Sequence, residues 1–203
     1  MPPFTVLHVC VGNICRSPMA ERLFALALRK QVGDRVDDLY LSHGAGTGPW
    51  HAGEPMNPPA ARQVTLRGGD PTGFRARKVT GNMIDMSNLV LCATAEQVSY
   101  VLGLRPEAEA RTFVLGEFGR LLGEIDPLPS DAAAASESAS AYARGVALVE
   151  MVDAGRGGDI DERESSRRSD DLDDPYGMPD REFARVADEI ERTVVPLAHA
   201  LTC

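Results

Sequence analysis

The stretch "FTVLHVCVGNICRSPMAERLF", residues 4–24, decides the fold. Its apolar beginning, residues 4–10, predicts a buried strand. The Ala, Leu and Phe residues that recur at helical spacing after Pro18 predict a helix over residues 18–31. A strand, a short loop and a helix in this order place the loop at the carboxyl end of a parallel sheet, where ligands of α/β proteins bind. The loop is therefore the first candidate for a functional site.

The residues of this loop suit an anion. Backbone N–H groups of a curled loop and of a helix N-terminus converge on negative charge. Gly12 and Asn13 can adopt the positive φ angles that such a loop needs. Arg16 offers a planar, two-pronged donor for two phosphoryl oxygens. The loop is therefore predicted to bind a phosphate group.

Cys10, the last residue of the predicted strand, is the candidate nucleophile. A positive environment of this kind favours a thiolate at neutral pH. Ser17 is placed to donate a hydrogen bond to that sulfur and to help it leave. An isolated cysteine at the end of a strand is more often a small buried hydrophobe. The Gly-Asn pair, the Arg-Ser pair and the helix start argue against that alternative here.

The rest of the chain alternates strand-like and helix-like segments, which predicts an α/β fold: a four-stranded parallel sheet, doubly wound, with helices on both faces. Further strands are predicted at residues 39–46, 88–94 and 111–116, and further helices at residues 57–68, 95–103 and 179–201. The inward face of the last helix is predicted to consist of Phe183, Val186, Ile190, Val194 and Leu197.

Composition excludes several classes of protein. A length of 203 residues suits one domain, and a net charge of −9 argues against a general nucleic-acid binder. No apolar run approaches the roughly 20 residues that span a bilayer, and the beginning "MPPFTVLHV" has no basic flank typical of a signal peptide. Four scattered cysteines do not form a disulfide framework, so a reducing, cytoplasmic location is expected. Neither a metal nor a cofactor is expected.

One region interrupts this pattern. Residues 131–155 are rich in helix formers, and residues 157–174 carry eight acidic residues and three arginines, a net charge of −5. The latter segment is predicted to be a solvated loop. We expect a single domain over residues 1–203, with a helical and acidic insertion at about residues 120–172.

Residues 10–21, "CVGNICRSPMAE", closely resemble the signature of the low-molecular-weight protein-tyrosine phosphatases. "GTGPWHAGEPMNPPA" (46–60) resembles the loop that follows strand two in that family, and "RARKVT" (75–80) resembles the segment before its third strand. "DDPYG" (173–177) is similar to its Asp-Pro general-acid motif. The resemblance covers nearly the whole chain apart from residues 120–170.

The resemblance implies hydrolysis of phosphotyrosine in two steps. Cys10 attacks phosphorus to form a phosphocysteine, while a general acid protonates the leaving phenolate and afterwards activates water. Two Asp-Pro pairs compete for the acid role. Asp174 is favoured because Tyr176 and the last helix follow it, as in the family, whereas a turn before proline explains Asp126.

The resemblance also implies the remaining site residues. Asn13 matches the asparagine that holds the family's phosphate loop in its strained shape. Trp50 and Tyr176 match rim aromatics that flank the substrate ring, although ordinary partial burial also explains Trp50. The predicted phosphate-binding loop consists of Val11, Gly12, Asn13, Ile14, Cys15, Arg16 and Ser17.

Three positions depart from the family pattern. Gly44 replaces a serine whose hydrogen bond supports the loop asparagine. Phe74 and Thr94 replace a histidine and an aspartate that are partners in the family, and losing both is less damaging than stranding one buried polar group. These departures are expected to affect the rate rather than the class of reaction.

Alternative functions remain. An arsenate reductase on the same fold needs two further cysteines close together, and this chain offers only Cys92, in a strand, and Cys203, at the terminus. Related arginine phosphatases carry threonine at the position of Ile14. The isoleucine of this chain favours an aryl phosphate instead. A non-catalytic phosphopeptide-binding module is disfavoured because nucleophile, arginine and acid are all present.

The expected partner is a phosphotyrosine-containing protein, and a tyrosine kinase encoded nearby is one candidate. Redox control is also expected. Cys15 lies on the same curled loop as Cys10, so a disulfide between them could protect an oxidised Cys10. The alternative is that Cys15 only fills space beneath the loop.

Overall fold

The computed structural model describes residues 1–126, 136–157 and 167–203. Within them, four strands form one all-parallel sheet in the order β2-β1-β3-β4, which confirms the predicted sheet. The strands are β1 (Phe4–Cys10), β2 (Tyr40–Gly46), β3 (Leu89–Cys92) and β4 (Thr112–Val114). The first strand has the predicted bounds, and the other three are shorter than predicted.

Eight helices of the described ranges surround the sheet, and residues 167–169 add a short helical stretch. They are α1 (Arg16–Val32), α2 (Val36–Leu39), α3 (Pro58–Leu66), α4 (Gly81–Asp85), α5 (Ala95–Leu104), α6 (Leu115–Leu122), α7 (Glu137–Ala154) and α8 (Asp180–Thr202), with 3₁₀ turns at Gly33–Arg35 and Pro106–Arg111. The sequence did not predict α2, α4 or α6. No helix in the part of the chain that the structure describes is long and apolar enough to cross a membrane.

Helices cover both faces of the sheet, as predicted. Successive residues of a strand point to opposite faces. In β1, Val6 therefore joins a core with side chains of α1, α6 and α8, whereas Leu7 joins a second core with side chains of α4 and α5. All five residues of the predicted inward face of α8 are buried, which confirms that face: Phe183, Val186, Ile190, Val194 and Leu197.

Helix α7 covers the amino ends of the strands. Tyr142 accepts a hydrogen bond from Asn88 Nδ2 at 3.0 Å, and Asn88 Oδ1 accepts one from the backbone N–H of Thr5. Gly145 packs against the ring of Phe4, so closely that a Cβ there would lie 2.3 Å from Phe4 Cδ2. Residues 131–135 of the predicted helix lie outside the described residues.

The prediction of a solvated loop is met in part: residues 170–174 form neither helix nor strand, and Asp171, Asp173 and Asp174 are exposed, whereas residues 167–169 are helical. Residues 158–166 lie outside the described ranges. Leu172 is buried, and its N–H donates to the carbonyl of Ala93 at 2.8 Å. Asp171 accepts a hydrogen bond from the N–H of Ala95 at 2.7 Å, and Asp170 pairs with Arg120 at 2.9 Å. The acidic side chains therefore attach this segment to the end of β3 and to α6.

Candidate active site

The loop between β1 and α1 is held from outside through its carbonyl groups. The carbonyls of Cys10, Val11 and Ile14 accept hydrogen bonds of 2.9–3.0 Å from the N–H groups of Thr47, Gly48 and Asn57 respectively. In a trans peptide unit the N–H points away from the C=O. The N–H groups that follow these carbonyls are therefore directed to the inside of the loop, where they can bind an anion.

Asn13 holds the curled shape of the loop. It is the only non-glycine residue of the described ranges with a positive φ, at 54°. Its Nδ2 donates to Ser17 Oγ at 2.8 Å, and its Oδ1 accepts from the backbone N–H of Arg77 at 2.9 Å. Both ends of the buried side-chain amide are thus bonded, which compensates the cost of its burial.

The sulfur of Cys10 lies at the bottom of the loop. Ser17 Oγ lies 3.0 Å from it, and the backbone N–H of Asn13 donates to it at 3.3 Å. Helix α1 begins at Arg16, two residues earlier than predicted, so its N-terminus also faces this point. Hydrogen-bond donors and a helix N-terminus stabilise negative charge on a thiol sulfur.

Arg16 joins the loop to the segment that carries the candidate acid. One guanidinium nitrogen donates to the carbonyl of Leu172 at 3.1 Å, and the other lies 2.6 Å from Asp174 Oδ2. Arg16 is buried, whereas the Asp174 side chain is 47% exposed. The other oxygen of Asp174 accepts from the N–H of Tyr176 at 3.1 Å, an Asx turn that orients the carboxylate.

The structure brings the sequence-predicted residues together in one pocket, except for Asn13 and Ser17, which are buried and do not line it. Trp50 and Tyr176 form its rim, with exposed fractions of 70% and 59%. Asp126 does not reach it and lies instead beside the carboxyl end of α8. The residues that line the pocket are Cys10, Val11, Gly12, Ile14, Cys15, Arg16, Trp50, His51, Asp174 and Tyr176.

His51 lines this pocket and was not predicted. Its ring packs on Gly12, where a Cβ would lie 2.9 Å from His51 Cδ2, and its centroid lies 6.2 Å from that of Tyr176. Nδ1 of His51 lies 2.7 Å from Glu54 Oε2, which fixes the ring. The signal in the sequence that could have placed His51 in the pocket was its position next to the predicted rim residue Trp50.

Four free cysteines differ in their surroundings. Burial, together with the neighbouring Cys10 and Asp174, raises the pKa of Cys15 to about 12 against the opposing effect of Arg16. Burial in β3 raises the pKa of Cys92 well above its usual range. Cys203 is exposed at the end of α8 beside His199. Only Cys10 and Cys15 share the pocket.

The three departures from the family pattern have local consequences. Gly44 lies directly beside the amide of Asn13. Phe74 is buried, and the guanidinium of Arg22 lies 5.8 Å from its ring centroid. Thr94 donates to Gln97 at 2.8 Å. Gly44, Phe74 and Thr94 are therefore packed or hydrogen-bonded without the serine, histidine and aspartate of the family pattern.

Comparison with known proteins points to one family. Residues 5–126 match the model of the family described as low molecular weight phosphotyrosine protein phosphatase. The chain is 32% identical over 142 residues to the protein of Ralstonia nicotianae named "Probable low molecular weight protein-tyrosine-phosphatase EpsP". That match covers 70% of this chain and 90% of the relative. The matched family range ends before Asp174.

Solved structures share the fold. A low molecular weight protein tyrosine phosphatase from T. tengcongensis superposes with a TM-score of 0.65 at 23% identity, covering 97% of this chain and 98% of the other. An arginine phosphatase from Geobacillus stearothermophilus gives a TM-score of 0.63 at 23% identity, covering 97% and 92%. The fold alone therefore does not show whether the substrate is an aryl phosphate or a phosphoarginine.

Proposed function

Because this chain belongs to the low molecular weight phosphotyrosine protein phosphatase family, we propose that it hydrolyses protein phosphotyrosine with Cys10 as the nucleophile. The observation that carries the proposal is the placement of the Cys10 sulfur at the bottom of the loop. There it contacts Ser17 Oγ and the N–H of Asn13, with the buried Arg16 in the same pocket. Members of this family are phosphoric monoester hydrolases.

In the first step the Cys10 thiolate attacks phosphorus. The S–P bond forms as the P–O bond to the phenol breaks, and Asp174 gives its proton to the leaving oxygen. Arg16 and the inward N–H groups of the loop bind the other phosphoryl oxygens. Because Arg16 contacts Asp174 at 2.6 Å, a phosphoryl group bound by the guanidinium places its leaving oxygen near the carboxyl group.

In the second step the same carboxylate, now ionised, takes a proton from water. That water attacks phosphorus, the P–S bond breaks, and inorganic phosphate is released. Ser17 stabilises the departing thiolate of Cys10, from which its Oγ is 3.0 Å away. The roles of acid and base therefore alternate on one residue, Asp174, which the Asx turn to Tyr176 keeps in place.

The walls of the pocket support an aromatic leaving group. Trp50 and Tyr176 at the rim can flank a phenol ring, and the apolar side chain of Ile14 also lines the pocket. A guanidinium leaving group would meet no carboxylate in this lining other than Asp174. Arsenate reduction has less support, because Cys92 is buried in β3 and Cys203, which follows α8, lies outside the pocket.

We place the activity in one domain over residues 1–203, with the insertion at about residues 120–172. The proposed substrate is a phosphotyrosine-containing protein in the cytoplasm, with a tyrosine kinase encoded nearby as the first candidate. Incubating the enzyme with that autophosphorylated kinase tests this choice. Loss of its phosphotyrosine is expected, and an unchanged kinase would exclude it.

Redox control through Cys15 is part of the proposal. Peroxide converts the Cys10 thiolate to a sulfenic acid, and attack by the Cys15 sulfur then forms a disulfide with loss of water. Both residues line the same pocket, although burial keeps Cys15 a thiol and slows this capture. After peroxide and then a thiol reductant, wild type should regain more activity than Cys15→Ser. Equal recovery would leave Cys15 a packing residue only.

The test of the proposed function is hydrolysis of phosphotyrosine, phosphoarginine and phosphoserine peptides of one sequence, side by side. Phosphotyrosine should be hydrolysed fastest, and Cys10→Ser should abolish release of phosphate. Faster hydrolysis of phosphoarginine would replace the proposed substrate class. Tight binding of the phosphotyrosine peptide without turnover would favour a phosphopeptide-binding module.

A further inference from the structure

Two side chains converge on the empty side of Gly44 in β2. A Cβ built at this residue would lie 3.0 Å from Asn13 Nδ2 and 3.0 Å from Glu21 Oε2. Contacts of this length are tighter than ordinary van der Waals distance, so any side chain here would push at least one neighbour. The glycine therefore leaves room for the Glu21 carboxylate beside the amide that holds the phosphate loop.

Glu21 is held in this place by several groups. It belongs to α1, and its side chain is only 12% exposed. Burial raises its pKa, while Arg22, Arg77 and a hydrogen bond from the Gly44 N–H act in the opposite direction. One carboxylate oxygen lies 3.3 Å from Arg22 Nε. A buried carboxylate with this set of partners is an organised contact rather than a solvated surface charge.

Arg77 connects the carboxylate to the loop. Its Nε donates to the carbonyl of Gly44 at 2.9 Å, and its backbone N–H donates to Asn13 Oδ1 at 2.9 Å. Glu21 Oε2 thus lies beside residue 44, whose carbonyl is held by Arg77. From Asn13 the chain of contacts continues through Ser17 Oγ to the sulfur of Cys10.

We propose that Glu21 is a positioning residue for the nucleophile, acting through Gly44, Arg77 and Asn13 from the space that a side chain at residue 44 would otherwise fill. The proposal rests on the proposed role of Cys10. It explains how Asn13 is supported although residue 44 carries no hydroxyl group.

The contacts predict which kinetic quantity changes. The side chain of Asn13 reaches Ser17, and Ser17 reaches the sulfur, whereas the phosphoryl oxygens are bound by Arg16 and the backbone of the loop. Loosening Asn13 should therefore lower kcat more than it weakens binding of inorganic phosphate. A loss of general stability alone would not produce this split.

The experiment is a double-mutant cycle with a built-in rescue. Glu21→Ala and Gly44→Ser should each lower kcat about tenfold, since small misplacements at an active site cost up to about 10²-fold. The first removes the carboxylate, and the second pushes it away. In the double variant the serine has room and its hydroxyl can support Asn13, so kcat should return to within about threefold of wild type. The inhibition constant for phosphate should change less than about threefold throughout.

The matched control is Gly44→Ala in the Glu21→Ala background, which fills the space without a hydroxyl and should not restore kcat. Losses that multiply in the Glu21→Ala, Gly44→Ser double variant would overturn the proposal. If Glu21→Ala does not fold, Glu21→Gln keeps the shape and removes the charge. A wild-type kcat in that variant would overturn the proposal equally. Wild type and Cys10→Ser are measured in parallel, so inactive wild type would refute the proposed function itself.

Discussion

The two ends of the sheet are built in different ways. At the carboxyl ends, buried polar groups converge on one sulfur, and the contacts among Cys10, Asn13 and Ser17 are 2.8–3.3 Å long. At the amino ends, α7 covers the strands largely by packing, as at Gly145 and Phe4. Loss of a polar atom at the first end should therefore lower the rate, whereas a change in volume at the second end should lower stability. Rate and stability can therefore be changed separately.

The largest expected effect is at the first end. Cys10→Ser should lower kcat by at least about 10⁴-fold, because removal of a nucleophile abolishes the covalent route. Vanadate or phosphate affinity should stay within a few fold, since Arg16 and the loop backbone are intact. The free energy of unfolding should change little. Activity above a few per cent of wild type would contradict the covalent mechanism.

Asp174→Asn should have the next largest effect. General acid catalysis is worth about 10²–10⁴-fold, and poor leaving groups need it most. The loss of kcat should therefore grow with the pKa of the phenol across a series of aryl phosphates. Asp126→Asn is the matched control, because Asp126 precedes a proline in the same way but lies outside the pocket. Equal losses across the series, or a larger loss in the control, would contradict the assignment.

Acid should reduce stability through two histidines of the sheet, the buried His8 and the partly buried His43. Burial lowers the pKa of His8 from 6.5 to about 3, and that of His43 from 6.5 to about 4. Between these values and 6.5 the unfolded chain binds more protons than the folded one, so stability is lost as pH falls below 6.5. From pH 7 to pH 5 each histidine should cost about 2 kcal/mol. Urea unfolding at both pH values measures this.

His43→Gln is the control for the pH effect, because glutamine can still bond to Ser87, which lies 3.2 Å from His43 Nε2. The drop between pH 7 and pH 5 should shrink by about 2 kcal/mol in this variant. An unchanged drop would mean that other groups cause the acid sensitivity.

The smallest expected effect tests the second end. Gly145→Ala places a methyl group against the ring of Phe4 and should lower the free energy of unfolding by about 1–3 kcal/mol, the usual cost of overpacking. At temperatures where the protein stays folded, kcat should equal that of wild type. Gly103→Ala is the control, since a Cβ there meets nothing within 4 Å. A loss of kcat in folded Gly145→Ala would show that the two ends are coupled.

The sequence predicted the fold best where local pattern and topology agree. The apolar run of β1 ends at Cys10 as predicted, because the Gly-Asn pair follows directly. Helix α1 begins earlier than Pro18, since the loop curls so tightly that Arg16 is already helical. Helix α6 was missed because two of its eight residues are glycines, which lower helix propensity.

Long-range contacts explain the remaining differences. The acidic composition of residues 170–174 indicates solvation, but Asp171 bonds to an N–H 76 residues away, which no local pattern reveals. The pocket residues of the candidate site were found from motifs, apart from His51. The departure at Gly44 was visible in the sequence. The placement of Glu21 there was not, since it depends on two side chains that meet only in the folded chain.

The central claim is a phosphoryl group carried by Cys10, and trapping it is the most direct test. Asp174→Asn should slow the second step for p-nitrophenyl phosphate, whose phenolate leaves without assistance, so the intermediate should accumulate. Acid quenching, proteolysis and fragmentation mass spectrometry then locate the group. The account predicts phosphate on Cys10, and none in the Asp174→Asn, Cys10→Ser double variant. Phosphate on another residue, or turnover without any phosphoenzyme, would contradict it.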